Sequence, residues 1–170
     1  MMKKGEKGFT LIELAVVVGL SAMIALAATT FTFHAFRTTQ QTNDHLTRLA
    51  NVENAGYWIS RDASMADSVT ANLTPPTFLI LTWTDRGYGT ANIYHSVTYL
   101  IENISGGVGQ LKRRHQDSSG TDQQTLIANY IDPTTTSVTY QSPTMTLRVA
   151  ARCGGTSEVR VYVVYPRPNY

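Results

Sequence analysis

The stretch KGFTLIEL, residues 7–14, decides the fold, because an apolar run with no formal charge before Arg37 follows it directly. Residues 14–33 of that run are 20 residues long. At a rise of about 1.5 Å per residue, a helix of this length matches a membrane hydrocarbon core of about 30 Å. The stretch therefore predicts a helix that can span a membrane.

Glu13 is the only carboxylate between residues 9 and 36, and a simple membrane anchor does not need it. A charged side chain inside a spanning helix costs about 2.5–3.5 kcal/mol on insertion scales. Pairing with a cation offsets much of such a cost. The residue therefore predicts a cationic partner near the start of the apolar run.

The basic leader MMKKGEK, Gly8, Phe9 and a glutamate in the fifth place after the glycine resemble a type IV prepilin signal. The resemblance implies that a prepilin peptidase cuts between Gly8 and Phe9 on the cytoplasmic side and methylates the new amino group of Phe9. A neighbouring subunit in a helical filament would then offer this cation to Glu13. The chain would divide into a leader (residues 1–8), a transmembrane and assembly helix (9–36) and an extracytoplasmic domain (37–170).

Two simpler interpretations of the N-terminus compete with this one. A plain signal anchor explains the basic flank and the apolar length, but not the GFTLIE string. A secretory signal peptide would be cut after the small-x-small pattern Ala25-Leu26-Ala27. Its apolar region would exceed the roughly 7–15 residues usual for such peptides, and Glu13 would lie within it. The prepilin interpretation is favoured.

Charge sets the orientation and limits the partners. Lysines precede the apolar run and none lies near its other end, which predicts a cytoplasmic N-terminus and a C-terminal domain outside. Removing the three lysines and one glutamate of residues 1–8 from the 14 basic and 12 acidic residues leaves 11 of each. Such a balance gives no general attraction to nucleic acid. The one basic cluster, Lys112, Arg113 and Arg114, is a weak candidate binding patch, and an exposed strand face is favoured there.

No pattern indicates catalysis, a cofactor or a metal. Neither a nucleophile turn nor a phosphate-binding loop is present. The four histidines lie far apart in the sequence without ligand spacing, and the single Cys153 cannot form an intramolecular disulfide. Residues 117–122 (DSSGTD) have a faint likeness to a calcium loop but lack its alternating oxygen ligands, so a solvated loop is favoured.

Beyond Arg37 the apolar residues form a one-sided helical stripe, and strands follow it. A single helix is expected over residues 10–66, about 80 Å long at 1.5 Å per residue, with Gly56 as a weak point that costs about 1 kcal/mol. A helix packed on an antiparallel sheet is an α+β arrangement. The stripe residues are Leu46, Leu49, Val52, Ile59, Ala63 and Ala66. The predicted strands are 77–83, 94–101, 111–115, 125–131, 137–141, 145–152 and 158–165, with a turn over 103–109, a loop over 116–124 and a hairpin between the last two strands.

The downstream order resembles that of minor pilins of the PilW type and of the minor pseudopilin J of type II secretion. The resemblance includes Asp62 near the helix end, VTYLI (97–101), GQLKRR (109–114) and LIANYI (126–131). It implies a non-enzymatic subunit that joins or initiates a type IV pilus or a secretion pseudopilus. Its partners would be the prepilin peptidase, other pilins or pseudopilins and membrane lipid. A DNA-uptake or adhesive tip subunit, and a soluble domain released after Ala27, remain the alternatives.

Overall fold

A computed structural model describes residues 10–71, 73, 76–86 and 91–167 of the chain. One helix precedes eight strands, and every strand pair is antiparallel, which confirms the predicted α+β class. The chain forms two compact units, Met1–Thr42 and Asn43–Tyr170. The elements are α1 (Leu11–Met65), β1 (Ser68–Ala71), β2 (Thr77–Asp85), β3 (Ile93–Ser105), β4 (Val108–Asp117), β5 (Asp122–Ile131), β6 (Ser137–Gln141), β7 (Thr144–Cys153) and β8 (Thr156–Val164).

The part of α1 in the first unit is apolar and uncovered. Every helix residue from 11 to 42 is exposed, and large side chains such as Leu26 and Phe31 keep 70% and 75% of their surface accessible. An 18-residue window of this segment has a mean hydropathy of 2.4 and no buried residue. By length and composition, α1 can cross a membrane, as the sequence predicts.

The part of α1 in the second unit presents one buried stripe, with members three or four positions apart. The predicted stripe is confirmed from Val52 onward, but Leu46 is 55% exposed. Leu46 precedes Val52 by six residues, which is about 240° around a helix of 3.6 residues per turn, so it points away from the sheet. The buried helix residues are Arg48, Val52, Ala55, Gly56, Ile59, Asp62 and Ala63.

The sheet has the order β1-β2-β3-β4-β5-β7-β6. β5 and β6 pair with different parts of one edge of β7, and β8 pairs with its opposite edge. Side chains alternate between its two faces, so Leu79 on β2 lies opposite Tyr99 on β3, and Leu81 opposite Val97. All four are fully buried and form one core with the stripe of α1. This face of the sheet is the one that the helix covers.

Three predicted boundaries are wrong. β1 (Ser68–Ala71) is not among the predicted strands. The turn expected over 103–109 is a tight one at Gly106 and Gly107, whose φ angles of 60° and 78° suit glycine. The loop expected over 116–124 shrinks to residues 118–121, because polar residues continue β4 and β5 on either side. Pairing between β4 and β5 extends both strands through polar residues, and a polar sequence alone does not predict such an extension.

Candidate functional site

The start of α1 is capped by Thr10. The backbone N–H of Glu13 donates to Oγ1 of Thr10 over 3.3 Å. Thr and Glu three positions apart form the sequence pattern of a capping box. A carboxylate in the first turn also interacts favourably with the positive end of the helix dipole. The expectations from the sequence did not include this cap, although its Thr-x-x-Glu spacing was visible. Thr10 therefore satisfies one of the free backbone N–H groups at the helix start.

The Glu13 side chain is exposed, and no ion pair joins it to any cation in the described part of the chain. Gly8 and Phe9, the predicted cleavage and methylation positions, lie outside the described residues. The pairing of Glu13 with a neighbouring subunit stays a prediction.

Hydroxyl groups within the apolar part of α1 bond to the helix itself. The hydroxyl of Ser21 donates to the carbonyl of Val17 over 2.7 Å, and three threonines repeat this pattern at 2.8–2.9 Å. Because lipid offers no hydrogen-bond partners, side chains satisfied in this way can face it at little cost. The hydroxyl groups of the apolar segment therefore do not prevent it from contacting lipid or other helices. The three threonines are Thr29, Thr30 and Thr32.

In the second unit, Asp62 connects α1 to the sheet through a buried ion pair. Its Oδ2 accepts hydrogen bonds from the Tyr99 hydroxyl at 2.5 Å and from Nε of Arg113 at 2.6 Å, while Oδ1 accepts from Nη2 of Arg113 at 3.1 Å. The Asp62 side chain is 1% exposed. A two-pronged Arg–carboxylate pair fixes geometry as well as charge, so α1 is locked to β3 and β4 at this level.

The surroundings of this pair keep Tyr99 and Arg113 protonated. Burial, followed by the charge of Asp62, raises the pKa of the Tyr99 hydroxyl, so it remains a donor. Burial alone would lower the pKa of Arg113, but hydrogen bonding to Asp62 raises it above its usual value. The Arg113 guanidinium also lies 5.5 Å from the centre of the Trp58 ring, within cation–π distance.

Three further polar contacts fix the helix to the strands. Nη1 of Arg48 donates to the carbonyl of Cys153 over 2.7 Å. Oδ1 of Asn51 accepts from the backbone N–H of Asn129 at 2.6 Å, and the Tyr162 hydroxyl donates to the carbonyl of Val52 at 3.3 Å. The second unit is therefore held together by polar contacts at several levels of the helix.

The predicted basic cluster does not form one surface patch. Strand alternation puts Arg113 on the core face and places Lys112 and Arg114 on the other face. Each cation has a carboxylate partner: Lys112 bonds Glu102 at 2.9 Å, and Arg114 bonds Asp122 at 2.6 Å. Only Arg114 of the three is exposed, whereas Lys112 and Arg113 are partly buried.

The likeness of residues 117–122 to a calcium loop gains no support from the geometry. Oδ1 of Asp117 accepts from the backbone N–H groups of Ser119 and Thr121 at 2.9 and 3.0 Å. Bonding to Ser119, and then to Thr121, lowers the pKa of Asp117. Asp122 lies on the opposite face with Arg114, so the two carboxylates do not converge. The tip at residues 118–120 is exposed, in line with a solvated loop.

Strand pairing brings together two histidines that show no ligand spacing in the sequence. His95 on β3 and His115 on β4 are 20 positions apart, yet Nδ1 of the first lies 3.1 Å from Nε2 of the second. Antiparallel pairing of the two strands produces this contact. Burial, followed by the charge of Arg113, lowers the pKa of His115. His34 and His45 lie on α1.

An exposed apolar helix that continues into a half packed on a curled antiparallel sheet defines a pilin-like architecture. The prokaryotic N-terminal methylation motif matches residues 3–29, which include the predicted cleavage position, Glu13 and the first part of α1. The match agrees with the prepilin-like signal predicted from the sequence and supports a processed, pilin-like or pseudopilin-like subunit. Comparison with curated proteins and with solved structures gives no match.

Proposed function

We propose that the chain is a minor pilin or pseudopilin, of the PilW type or the type II secretion J type. Residues 1–8 are the cleaved leader, 9–36 the transmembrane and assembly helix, and 37–170 the extracytoplasmic domain. The chain inserts in the cytoplasmic membrane with its C-terminal domain outside. It then joins, or initiates, a pilus or pseudopilus together with other subunits.

One observation carries this proposal: the methylation motif at residues 3–29 runs into a helix whose apolar side chains are left uncovered by the chain. Covering a large apolar side chain is worth roughly 1.5–3 kcal/mol. A segment that leaves Leu11 at 86% and Phe33 at 72% exposure therefore requires lipid or neighbouring helices. A membrane-inserted subunit that later enters a helical bundle uses both environments in turn.

Glu13 supplies the register in this mechanism. Apolar helices gain little from hydrophobicity inside a bilayer, because lipid tails are already apolar, so packing and polar pairing must fix their stagger. Cleavage after Gly8 creates a cation at Phe9. An ion pair between this amine and Glu13 of the adjacent subunit reduces the burial cost of the carboxylate in one stagger only.

The second part of the helix serves a different purpose. Asp62 and the stripe around Ile59 fix this part of α1 to the sheet, so it belongs to the extracytoplasmic domain that the filament would display.

No observation favours the DNA-uptake alternative. Its only candidate surface was the cluster of Lys112, Arg113 and Arg114, and each of these cations is bonded to a carboxylate of the same chain. A nucleic-acid groove would combine free cations with stacking aromatic side chains.

The intact mass of the protein extracted from membranes tests the proposal. We expect a chain that begins at Phe9 and whose mass is that of residues 9–170 with one hydrogen replaced by a methyl group. The matched control is Gly8→Arg, which should keep its leader. A mature chain that begins at Ala28 would mean that the segment is a secretory signal peptide and would remove the pilin interpretation.

A further inference from the structure

Strands β2, β3 and β4 bring an aromatic and acidic cluster to one end of the core-facing side of the sheet. Trp83 pairs with His95, and His95 with Asp117, while His115 pairs with the buried Val97. Ring centres of the two histidines lie 5.3 Å apart, and Trp83 stacks on both, at 5.1 Å from His95 and 6.0 Å from His115. Neither the methylation motif nor the assembly mechanism uses this cluster.

The donor atoms are at metal-binding separations. Nδ1 of His95 lies 3.1 Å from Nε2 of His115, and the ligand atoms of both histidines and Asp117 lie within 4.8 Å of one another. Zinc–nitrogen bonds are about 2.0–2.1 Å long, so two of them spanning that nitrogen separation enclose an angle of roughly 100°. This is close to a tetrahedral angle.

The far side of His95 has the partner that metal-bound histidines use. Its Nε2 lies 3.1 Å from Oδ2 of Asp85. A metal-ligating histidine commonly donates its other ring N–H to a carboxylate, which selects the tautomer and raises the basicity of the ligand nitrogen. With Nε2 protonated toward Asp85, Nδ1 of His95 carries the lone pair, and the neighbour it faces is Nε2 of His115, 3.1 Å away.

Asp117 is held in place beside the two histidines. Its Oδ1 accepts hydrogen bonds from Ser119 and Thr121 of the hairpin turn, and Oδ2 takes part in none of these three bonds. Two carboxylates, Asp85 and Asp117, bring negative charge to the cluster, and the nearby Arg113 is paired with Asp62.

We propose that His95, His115 and Asp117 form a site for a divalent transition-metal ion of the zinc type, with Asp85 orienting His95 from outside. Two imidazoles and one carboxylate suit such ions, and a fourth position remains for water. The ion would join β3 and β4 at the end of their hairpin that lies away from the Gly106–Gly107 turn, beside β2. By binding only the folded state, it would stabilise the extracytoplasmic domain.

The test uses the full chain in detergent, purified without a histidine tag and freed of metal by a chelator. Co²⁺ serves as the optical probe, and Zn²⁺ as its competitor. We expect one equivalent of Co²⁺ to give the visible absorption of a nitrogen- and oxygen-ligated ion, which Zn²⁺ abolishes. Zn²⁺ should also raise the melting temperature of the wild-type protein.

Matched variants locate the ion. His115→Ala should abolish Co²⁺ binding, whereas His45→Ala, an exposed helix histidine, should bind as the wild type does. Asp85→Asn keeps the three ligands and should weaken binding about 10–100-fold, as loss of an outer partner does. This conservative variant keeps the test valid if His115→Ala does not fold.

Three results would overturn the proposal. The first is a wild-type protein that binds no stoichiometric Co²⁺. The second is an unchanged spectrum and affinity in both His115→Ala and Asp85→Asn. The third is a thiolate charge-transfer band, which would assign the ion to Cys153.

Discussion

Glu13 and Asp62 are acidic residues of the same helix, and their surroundings are opposite. Asp62 is fully buried and accepts three hydrogen bonds from Tyr99 and Arg113. Glu13 is exposed and has no ion-pair partner among the residues the structure describes. The contrast teaches that the second half of α1 completes its interactions within the chain. The large apolar side chains of the first half stay exposed.

The largest effect that separates the two halves is expected from Asp62→Ala. Removing the carboxylate leaves the Arg113 charge and the Tyr99 hydroxyl without their buried partner. Breaking a buried ion pair in this way costs about 3–5 kcal/mol. We expect the domain either to lose its cooperative thermal transition or to melt at a much lower temperature. Near-UV circular dichroism of the full chain in detergent measures this.

Glu13→Ala is the matched control for this measurement and should melt with the wild-type transition. If Asp62→Ala also melted like the wild type, the Asp62 pair would not hold the helix to the sheet, and the division of the helix would lose its main support.

A second pair of variants compares the same residue type in both halves. Ile59 is fully buried and Ile24 is 69% exposed. Ile59→Ala removes core contacts, at a typical cost of about 2–5 kcal/mol of unfolding free energy. Ile24→Ala should leave the domain's unfolding unchanged. Equal destabilisation by both variants, measured by denaturant titration, would show that the first half is also part of the folded core.

The smallest effect concerns glycine. A Cβ on Gly56 would overlap the ring of Tyr162, whereas nothing lies within 4 Å of a Cβ on Gly19. Overpacking costs about 1–3 kcal/mol and the gain in helix propensity returns about 1, so Gly56→Ala should lose about 1 kcal/mol of stability. Gly19→Ala should leave the domain's stability unchanged.

Tyr162→Leu tests the cause of that loss. If the ring is the obstacle, the cost of Gly56→Ala should fall in the Tyr162→Leu background, because the two residues are in contact. Additive costs would contradict the contact.

The sequence sufficed for the helix because hydrophobic periodicity and a charge-free run are local signals. It also sufficed to place seven of the eight described strands along the chain and to predict the final hairpin between β7 and β8. It failed for β1 and for the ends of β4 and β5, where polar residues extend ladders whose stability comes from their neighbours. Leu46 was misplaced because positions 46, 49 and 52 are each three residues apart. Each step of three falls short of a full helical turn, so two of them carry Leu46 away from the buried face.

The sites were predictable to the extent that their residues are near each other in the sequence. The N-terminal motif is contiguous, and the Thr10–Glu13 cap was readable from its spacing. By contrast, the Asp62–Arg113 pair and the His95–His115 contact join residues 51 and 20 positions apart. Only the strand register brings them together. For the same reason a basic run in the sequence became three separate ion pairs.

The most direct test of the divided helix is assembly of Glu13→Ala in its native host. Wild-type, Glu13→Ala and Glu53→Ala chains would be cross-linked in the membrane and recovered with the other pilins or pseudopilins, with intact mass confirming leader removal. Glu53 is an exposed acid on the second half of α1, so its variant should assemble normally. We predict that processed Glu13→Ala folds but is not recovered with partner subunits. Wild-type recovery of Glu13→Ala would contradict the account, because this subunit would then join through its extracytoplasmic domain alone.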